Sequence, residues 1–381
     1  MLSGTSVDGL DVAVAEFTST TGPDGTALTL RPCHETTLPL PAGVRDAALA
    51  VLPPATTTVG DLCRLDTDLG RFCAEAAAAV VAEHGGDLVV SLGQTVFHWV
   101  EGTTARGTLQ VGQPAWIAEA TGLPVISDLR ARDIAAGGHG APLASTLDAL
   151  WLRGPQRRAA LNLGGIANIT VVGGAHDSVL AFDTGPANCL LDIVAGRAGV
   201  VEGFDVDGAL AARGTVDADL LDDMLREPYF AQLPPKSTGR ELFTPRWLDS
   251  HVAGRAIGDT DLAATLGELT ARSVADAVRA HDVAEVIVSG GGARNPVLMS
   301  RLAALVAPAG LRTSDELGLP ADAKEAYLVA LLGWLTWHGV PGVVPGGTGS
   351  LRQRILGRIT PGNEPLRLPE PVAALTGLDV A

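Results

Sequence analysis

Residues 159–192 read AALNLGGIANITVVGGAHDSVLAFDTGPANCLLD, and this stretch decides the fold. Three short apolar runs are punctuated by glycine pairs, Gly164-Gly165 and Gly173-Gly174. Short apolar runs bounded by glycine are strand signals, and Gly173-Gly174 suits the turn of an antiparallel hairpin. The last run ends on Asp183-Thr184-Gly185, which places a carboxylate at a strand terminus. There it can act as a general base or a metal ligand. It can equally cap the helix that follows, with Asn188 sharing that work.

The first residues of the chain, MLSGTSVDGLDVAVAEF (1–17), repeat this plan: a small polar turn, then an alternating strand. The upstream strand of that hairpin is missing from the reading. Met1 is therefore expected to correspond to a residue at the end of a longer first strand. Elsewhere helical patterns alternate with strands. Leu62, Leu65, Leu69 and Phe72 recur at helical spacing in a run that His84-Gly85-Gly86 ends. A second amphipathic helix (261–282) feeds directly into the strand AEVIVSGGG (284–292). The alternation predicts an α/β fold with a largely parallel sheet. Two similar units are expected to face each other across a nucleotide-sized cleft. Residues 1–128 would form the first lobe, rejoined by 350–381, and residues 129–349 the second. The proline-rich tail from Thr360 onward is expected on the surface.

Composition narrows the function. With 46% hydrophobic and 18% charged residues, a chain of 381 residues reads as globular and able to bury two cores. No apolar run approaches the roughly 20 residues that span a bilayer, and the first residues lack the basic stretch and apolar core expected of a signal peptide. A cytoplasmic location is expected. A net charge of −16 argues against nucleic acid or an anionic membrane as partner. A small anionic ligand would need a local cationic pocket. Four cysteines without CxxC spacing and eight histidines without HExxH argue against a structural zinc site or disulfide framework. Lys236 and Lys324 are the only lysines in an arginine-rich chain.

Several loops carry chemistry. In SGTSVDG (3–9), glycines allow close approach, and backbone N–H groups with the Ser3, Thr5 and Ser6 hydroxyls can cradle phosphate. Asp8 or Asp11 can hold Mg²⁺ through water. A plain hairpin turn has the same composition, and the Walker A pattern is absent. In VSGGGARNPVLMSRL (288–302), Gly290, Gly291 and Gly292 lead from a strand into a helix, a geometry that suits nucleotide contact or a tight crossover. SDLRARDIAAGGHGAPL (127–143) sets Arg130, Arg132 and Asp133 before Gly137-Gly138. This is a cationic pocket or an ordinary Arg–Asp pair. PPKSTGRELF (234–243) gathers Lys236, Ser237, Arg240 and Glu241, and reads as a site loop or a solvated turn. His98, at the end of SLGQTVFH, reads as an interior histidine.

Taken in order, these motifs resemble the acetate-kinase/sugar-kinase/actin superfamily. More narrowly, they resemble the 1,6-anhydro-N-acetylmuramic acid kinase family. The resemblance is carried by SGTSVDGLD, GQTVFH, TLQVGQPAWIAEATGLPVISDLRARDIAAGGHGAPL, NLGGIANIT, FDTGPANCLLD, DVDGALAARG, PPKSTGRELF, VSGGGARNP and GLPADAKEA, from Ser3 to Ala326. It implies a two-lobed actin-like, ribonuclease-H-like ATPase clamshell with mixed sheets. It also implies a homodimeric enzyme of cell-wall recycling that uses ATP, Mg²⁺ and water to open an anhydro-sugar and phosphorylate O6. An ordinary sugar kinase acting on an already open amino sugar is the alternative, and a nucleotide-binding protein without catalysis is a third.

By motif match, Asp183 is the base. Arg130 pairs with the lactyl carboxylate, and Thr95, Val96, Ala136, Gly137 and Gly138 line the sugar pocket. Glu325 meets the sugar from the other side of the cleft. Gly4, Thr5, Ser6, Val7, Asp8, Gly9, Leu10 and Asp11 clasp the phosphates, with Asp8 toward the metal, and Gly164 and Gly165 face them. Gly290, Gly291, Gly292 and Asn295 approach the adenosine. The chain departs from the family pattern at Leu92, His139 and Asp148.

Overall fold

A computed structural model describes the chain except for residues 5, 6, 8, 103, 175–178, 235, 240, 345, 351 and 374. It divides into two compact units, Met1–Trp151 with Ala323–Ala381, and Leu152–Asp322.

In the first unit, β1 (Leu2–Ser3), β2 (Gly9–Gly22) and β3 (Gly25–Pro39) form an antiparallel meander. Next come α1 (Ala42–Val51), α2 (Val59–His84), β4 (Val89–Ser91), β5 (Gln94–Glu101) and β6 (Thr104–Val111). They are followed by α3 (Pro114–Thr121), β7 (Val125–Ser127), α4 (Ala131–Ala135) and α5 (Ala144–Trp151). Of the residues read at helical spacing in α2, Leu65 and Leu69 are buried and Leu62 and Phe72 are partly buried, with Cys73 completing the buried stripe of the helix. The Thr58 hydroxyl caps its start, accepting from Asp61 N, and Gly85 at φ 75° ends it. The opening hairpin does have a first strand, though a short one. Leu2 and Ser3 pair with Asp11 and Leu10 on one side. On the other, the Met1 ammonium donates to Val90 O at 2.8 Å and Leu92 N donates to Met1 O at 3.0 Å.

In the second unit, β8 (Arg158–Leu163), β9 (Ile166–Val172) and β10 (Leu180–Pro186) form another antiparallel meander, as the glycine pairs predict. Then follow α6 (Asn188–Arg197), α7 (Ala218–Met224), α8 (Pro245–Val252), α9 (Asp259–Ala280), β11 (Glu285–Ser289), α10 (Pro296–Val306) and β12 (Gly310–Thr313). The sheet order is β10-β9-β8-β11-β12, with β11 and β12 parallel to β8. The first unit follows the same plan. Its meander β3-β2-β1 is flanked by β5, parallel to β1, and β4 is parallel to β7. A meander joined to parallel crossovers is the ribonuclease-H-like arrangement, and it makes the sheets mixed rather than largely parallel. Leu161, Ile169, Phe182 and Val286 of the second sheet pack with Val274 and Val278 of α9 and Leu298 of α10.

The chain then returns to the first unit through α11 (Lys324–Trp337), β13 (Arg358–Thr360) and β14 (Leu375–Val380). β13 pairs with β7, and β14 extends the large sheet beside β3 with Leu378 buried. The tail is therefore partly a strand, not only surface chain. The unit boundaries fall at 151/152 and 322/323 rather than at 128/129 and 349/350. The reason is packing: α4 rests on β6, and α5 rests on α11 and β14.

Lys324 and Asp148 form a buried ion pair at 2.7 Å between α11 and α5. Asp148 thus has a structural task at one of the positions where the chain departs from the family pattern. Breaking one side of a buried pair leaves an uncompensated charge, so Lys324→Met should cost about 3–5 kcal/mol in chemical denaturation. Adding Asp148→Leu should restore most of it.

Candidate active site

In the second unit the Gly164-Gly165 turn joins β8 to β9. Its carbonyls accept the amides of Ala187, Asn188 and Cys189 at 3.0 Å, which fastens the start of α6 to the turn. The Asn188 carboxamide donates to Leu163 O at 3.1 Å. No side chain caps α6, so Asp183 is not the helix cap that its position also allowed. Its Oδ2 instead accepts the Thr238 amide at 2.9 Å. A register shift between Asp183 and Gly185 marks a bulge in β10, a device that re-aims side chains beside functional sites. Asp183 lies opposite Asn168 on β9, which lies opposite Asn162 on β8. Directly opposed residues share a sheet face, so the three form a polar row. Burial pushes the Asp183 carboxyl up to about 6; the Thr238 amide pulls it down and the Glu241 charge adds to the rise.

The triple-glycine loop packs against the same strand end. Gly290 sits at φ +83°, and a Cβ there would lie 2.4 Å from Asn162 Oδ1. One at Gly292 would lie 2.6 Å from Leu163 Cβ, whereas Gly291 is open to within 3.9 Å of Asn188. Asn295 spends its side-chain oxygen on capping α10, accepting Val297 N and Leu298 N at 3.1 and 3.0 Å. The glycine turn and the glycine loop thus meet around Asn162, Leu163 and Asn188, and Asp183 stands two strands along the polar row from Asn162. Gly290→Ala combines a strained φ with a steric conflict. It should lower stability by about 1–3 kcal/mol in chemical denaturation.

In the first unit, Val7 is buried at φ 55° and its amide donates to Gly4 O at 3.2 Å. Gly9, Leu10 and Asp11 begin β2, where Leu10 is core and Asp11 Oδ1 accepts the Thr37 hydroxyl at 2.7 Å. Thr5, Ser6 and Asp8 lie outside the described residues, as does Arg240.

Arg130 Nη1 donates to Gly140 O at 2.7 Å, while its buried Nε has no partner among the described residues. It makes no ion pair with Asp133. That carboxylate is fully buried and staples the loop, accepting Gly140 N at 2.7 Å and the Thr348 hydroxyl at 2.9 Å. Gly138 packs directly on Asp133, and Gly137 takes φ +93°. Burial lowers the Arg130 pKa and the Glu325 charge opposes that. Glu325 stands in the first turn of α11, in the same unit as Arg130 rather than across from it. Surrounding protein raises its pKa, Arg130 lowers it and Asp11 raises it.

His98 is exposed on β5, not interior, and partial burial followed by the Arg130 and His139 charges lowers its pKa. Arg130 and His139 thus lie close enough to His98 for their charges to act on it, and Arg130 is the standing cation of this group. Thr95 accepts Gln110 Nε2 at 3.1 Å. Val96 packs into the hydrophobic core, which leaves only its backbone for a ligand, and the Ala136 amide is spent on closing α4.

The family model for anhydro-N-acetylmuramic acid kinase matches residues 1–362. An anhydro-N-acetylmuramic acid kinase of Streptomyces coelicolor is 52% identical over 377 residues, covering 97% of this chain and 95% of the relative. One from Rhodococcus erythropolis is 48% identical, covering 96% and 94%. One from Gloeobacter violaceus is 42% identical, covering 95% and 97%. With a match that runs nearly end to end, this chain belongs to the anhydro-N-acetylmuramic acid kinase family.

Proposed function

We propose that the protein uses ATP and water to open the bridge of 1,6-anhydro-N-acetylmuramic acid and to phosphorylate the freed O6. The product is N-acetylmuramic acid 6-phosphate. The observation that carries the reading is Asp183, a carboxylate set within β10 beside its bulge rather than at the strand terminus its motif suggested, which accepts the Thr238 amide and whose pKa is pushed up to about 6. A general base works best when its pKa lies near the working pH.

In this scheme Asp183 takes a proton from water as the water oxygen bonds to C1. The C1–O6 bond breaks, and O6 takes the γ-phosphoryl group as ADP leaves. One carboxylate suffices, because phosphoryl transfer does the work of protonating O6. Arg130 binds the lactyl carboxylate and Glu325 a polar group of the sugar. Gly4–Asp11 and Gly164-Gly165 hold phosphates, and Gly290–Gly292 admit the adenosine.

Mg²⁺ fits such a donor set. Among the described residues no three acidic or imidazole groups converge, and Mg²⁺ on ATP keeps several waters and needs only one or two carboxylates. Asp8 or Asp11 would hold it through water, and its charge would offset that of the phosphates. The need for ATP supports a cytoplasmic site of action; no described helix is long and apolar enough to cross a membrane. The family resemblance supports a homodimer, which light scattering would test.

Incubation with ATP and Mg²⁺, followed by ³¹P NMR, should give a 6-phosphate from the anhydro-sugar. Phosphorylation of only the open sugar would contradict the reading. The pH profile gives a second check. Because the base must be ionised, kcat/KM should fall tenfold per unit below about pH 6.

A further inference from the structure

We propose that Lys236 is a positioning residue for Asp183, and that it acts through the chain it ties down rather than through its charge. The inference rests on reading Asp183 as the base. β10 is the edge strand of its sheet, so the outer side of Asp183 faces no neighbouring strand. The segment 229–238 takes that place. Lys236 O accepts the Asp183 amide at 3.1 Å. The Tyr229 hydroxyl donates to Asp183 O at 2.8 Å, and the Thr238 amide donates to the carboxylate. Three polar groups of one residue are thus held by a single loop.

The Lys236 ammonium closes that loop. Nζ donates to Tyr229 O and Phe230 O, both at 3.1 Å, and stands 4.7 Å from the centre of the Tyr229 ring. It joins the two ends of the segment that grips Asp183. The groups that set the acidity of Asp183 are its burial, the Thr238 amide and Glu241, and the ammonium is not among them. No carboxylate pairs with Lys236 among the described residues, and burial lowers its pKa. An ammonium kept half-buried on two carbonyls and a ring face is a costly arrangement. Its compact donors fit where a planar guanidinium fits less well, which accounts for a lysine here in an arginine-rich chain.

The test compares Lys236→Met, Lys236→Arg, Asp183→Asn and the Lys236→Met/Asp183→Asn double variant, in the full-length protein. Misplacing a reacting group by about 1 Å can cost on the order of 10²-fold. Lys236→Met should therefore lower kcat about 30–100-fold while both KM values hold within about threefold. The acid limb of the pH profile should move toward lower pH as the released carboxylate hydrates. Lys236→Arg should recover part of the loss. In the Asp183→Asn background, Lys236→Met should subtract almost nothing more, because its effect passes through that carboxylate.

Wild-type kcat and an unmoved acid limb in Lys236→Met would overturn the proposal, and so would losses that multiply in the double variant. Should Lys236→Met fail to fold, Tyr229→Phe decides instead: a smaller loss in kcat with the same displaced limb supports the clamp, and an unchanged profile overturns it. Failure of the underlying reading looks different, because Asp183→Asn alone would then keep full turnover.

Discussion

Asp183→Asn is expected to lower turnover by about 10²–10⁴-fold and, at the same time, to make the protein more stable at neutral pH. The two effects share one cause. The carboxyl has a pKa of about 6 in the fold, against an ordinary value of 3.8. The folded state therefore holds the proton more tightly. The stability this contributes is fully present below the unfolded pKa and is lost as pH rises through about 6. A difference of about two units corresponds to roughly 2–3 kcal/mol of strain at pH 7. Asparagine keeps an oxygen for the Thr238 amide and never ionises. Denaturation should thus show a gain of about 2–3 kcal/mol at pH 7 that shrinks toward zero near pH 4. A variant both inactive and less stable at pH 7 would mean that the carboxylate is a structural group.

Arg130→Met should raise KM for the anhydro-sugar about 30–150-fold, the range set by one charged hydrogen-bonding group, with a smaller effect on kcat. Among the described residues the guanidinium is anchored by a bond to Gly140 O and its buried Nε has no partner. It is thus fixed in place with donor capacity to spare, which suits a carboxylate. The discriminating substrate is the matching anhydro-sugar that lacks the lactyl group. If Arg130 reads that carboxylate, the variant should treat the truncated sugar much as wild type does. An equal loss on both sugars would assign Arg130 to loop structure.

Much of this was legible in the residues, for identifiable reasons. Gly164-Gly165 and Gly173-Gly174 interrupt apolar runs at hairpin spacing, so the meander carrying Asp183 follows from local turn chemistry. The spacing of Leu62, Leu65, Leu69 and Phe72 and the glycine stop at Gly85 did the same for α2. What escaped depends on contacts between distant segments. β1 is two residues long and takes its shape from Asp11 on one side and Gln94 on the other. β14 lies in a proline-rich tail and gains its partners from β3, 350 residues earlier at the contact between Thr376 and Thr26.

The loop around Lys236 looked like a solvated turn because its partner, Asp183, is 55 residues from Thr238 along the chain. Asn162 and Asn168 left a trace that could have been used: polar residues at strand positions where the neighbours are apolar. Val96 has its side chain in the core, and a motif names a position without saying whether its side chain or its backbone meets the ligand.

The central claim is that one active site both hydrolyses and phosphorylates, with water entering at C1 and O6 receiving the phosphoryl group. The most direct measurement is turnover of the anhydro-sugar with ATP and Mg²⁺ in ¹⁸O-water. The reaction is quenched early and read by mass spectrometry, beside finished product held in the same water to correct for exchange. The account predicts one ¹⁸O at C1, beyond the exchange control, and none in the phosphate. Label in the phosphate, or unlabelled C1 in a fully formed 6-phosphate, would contradict it.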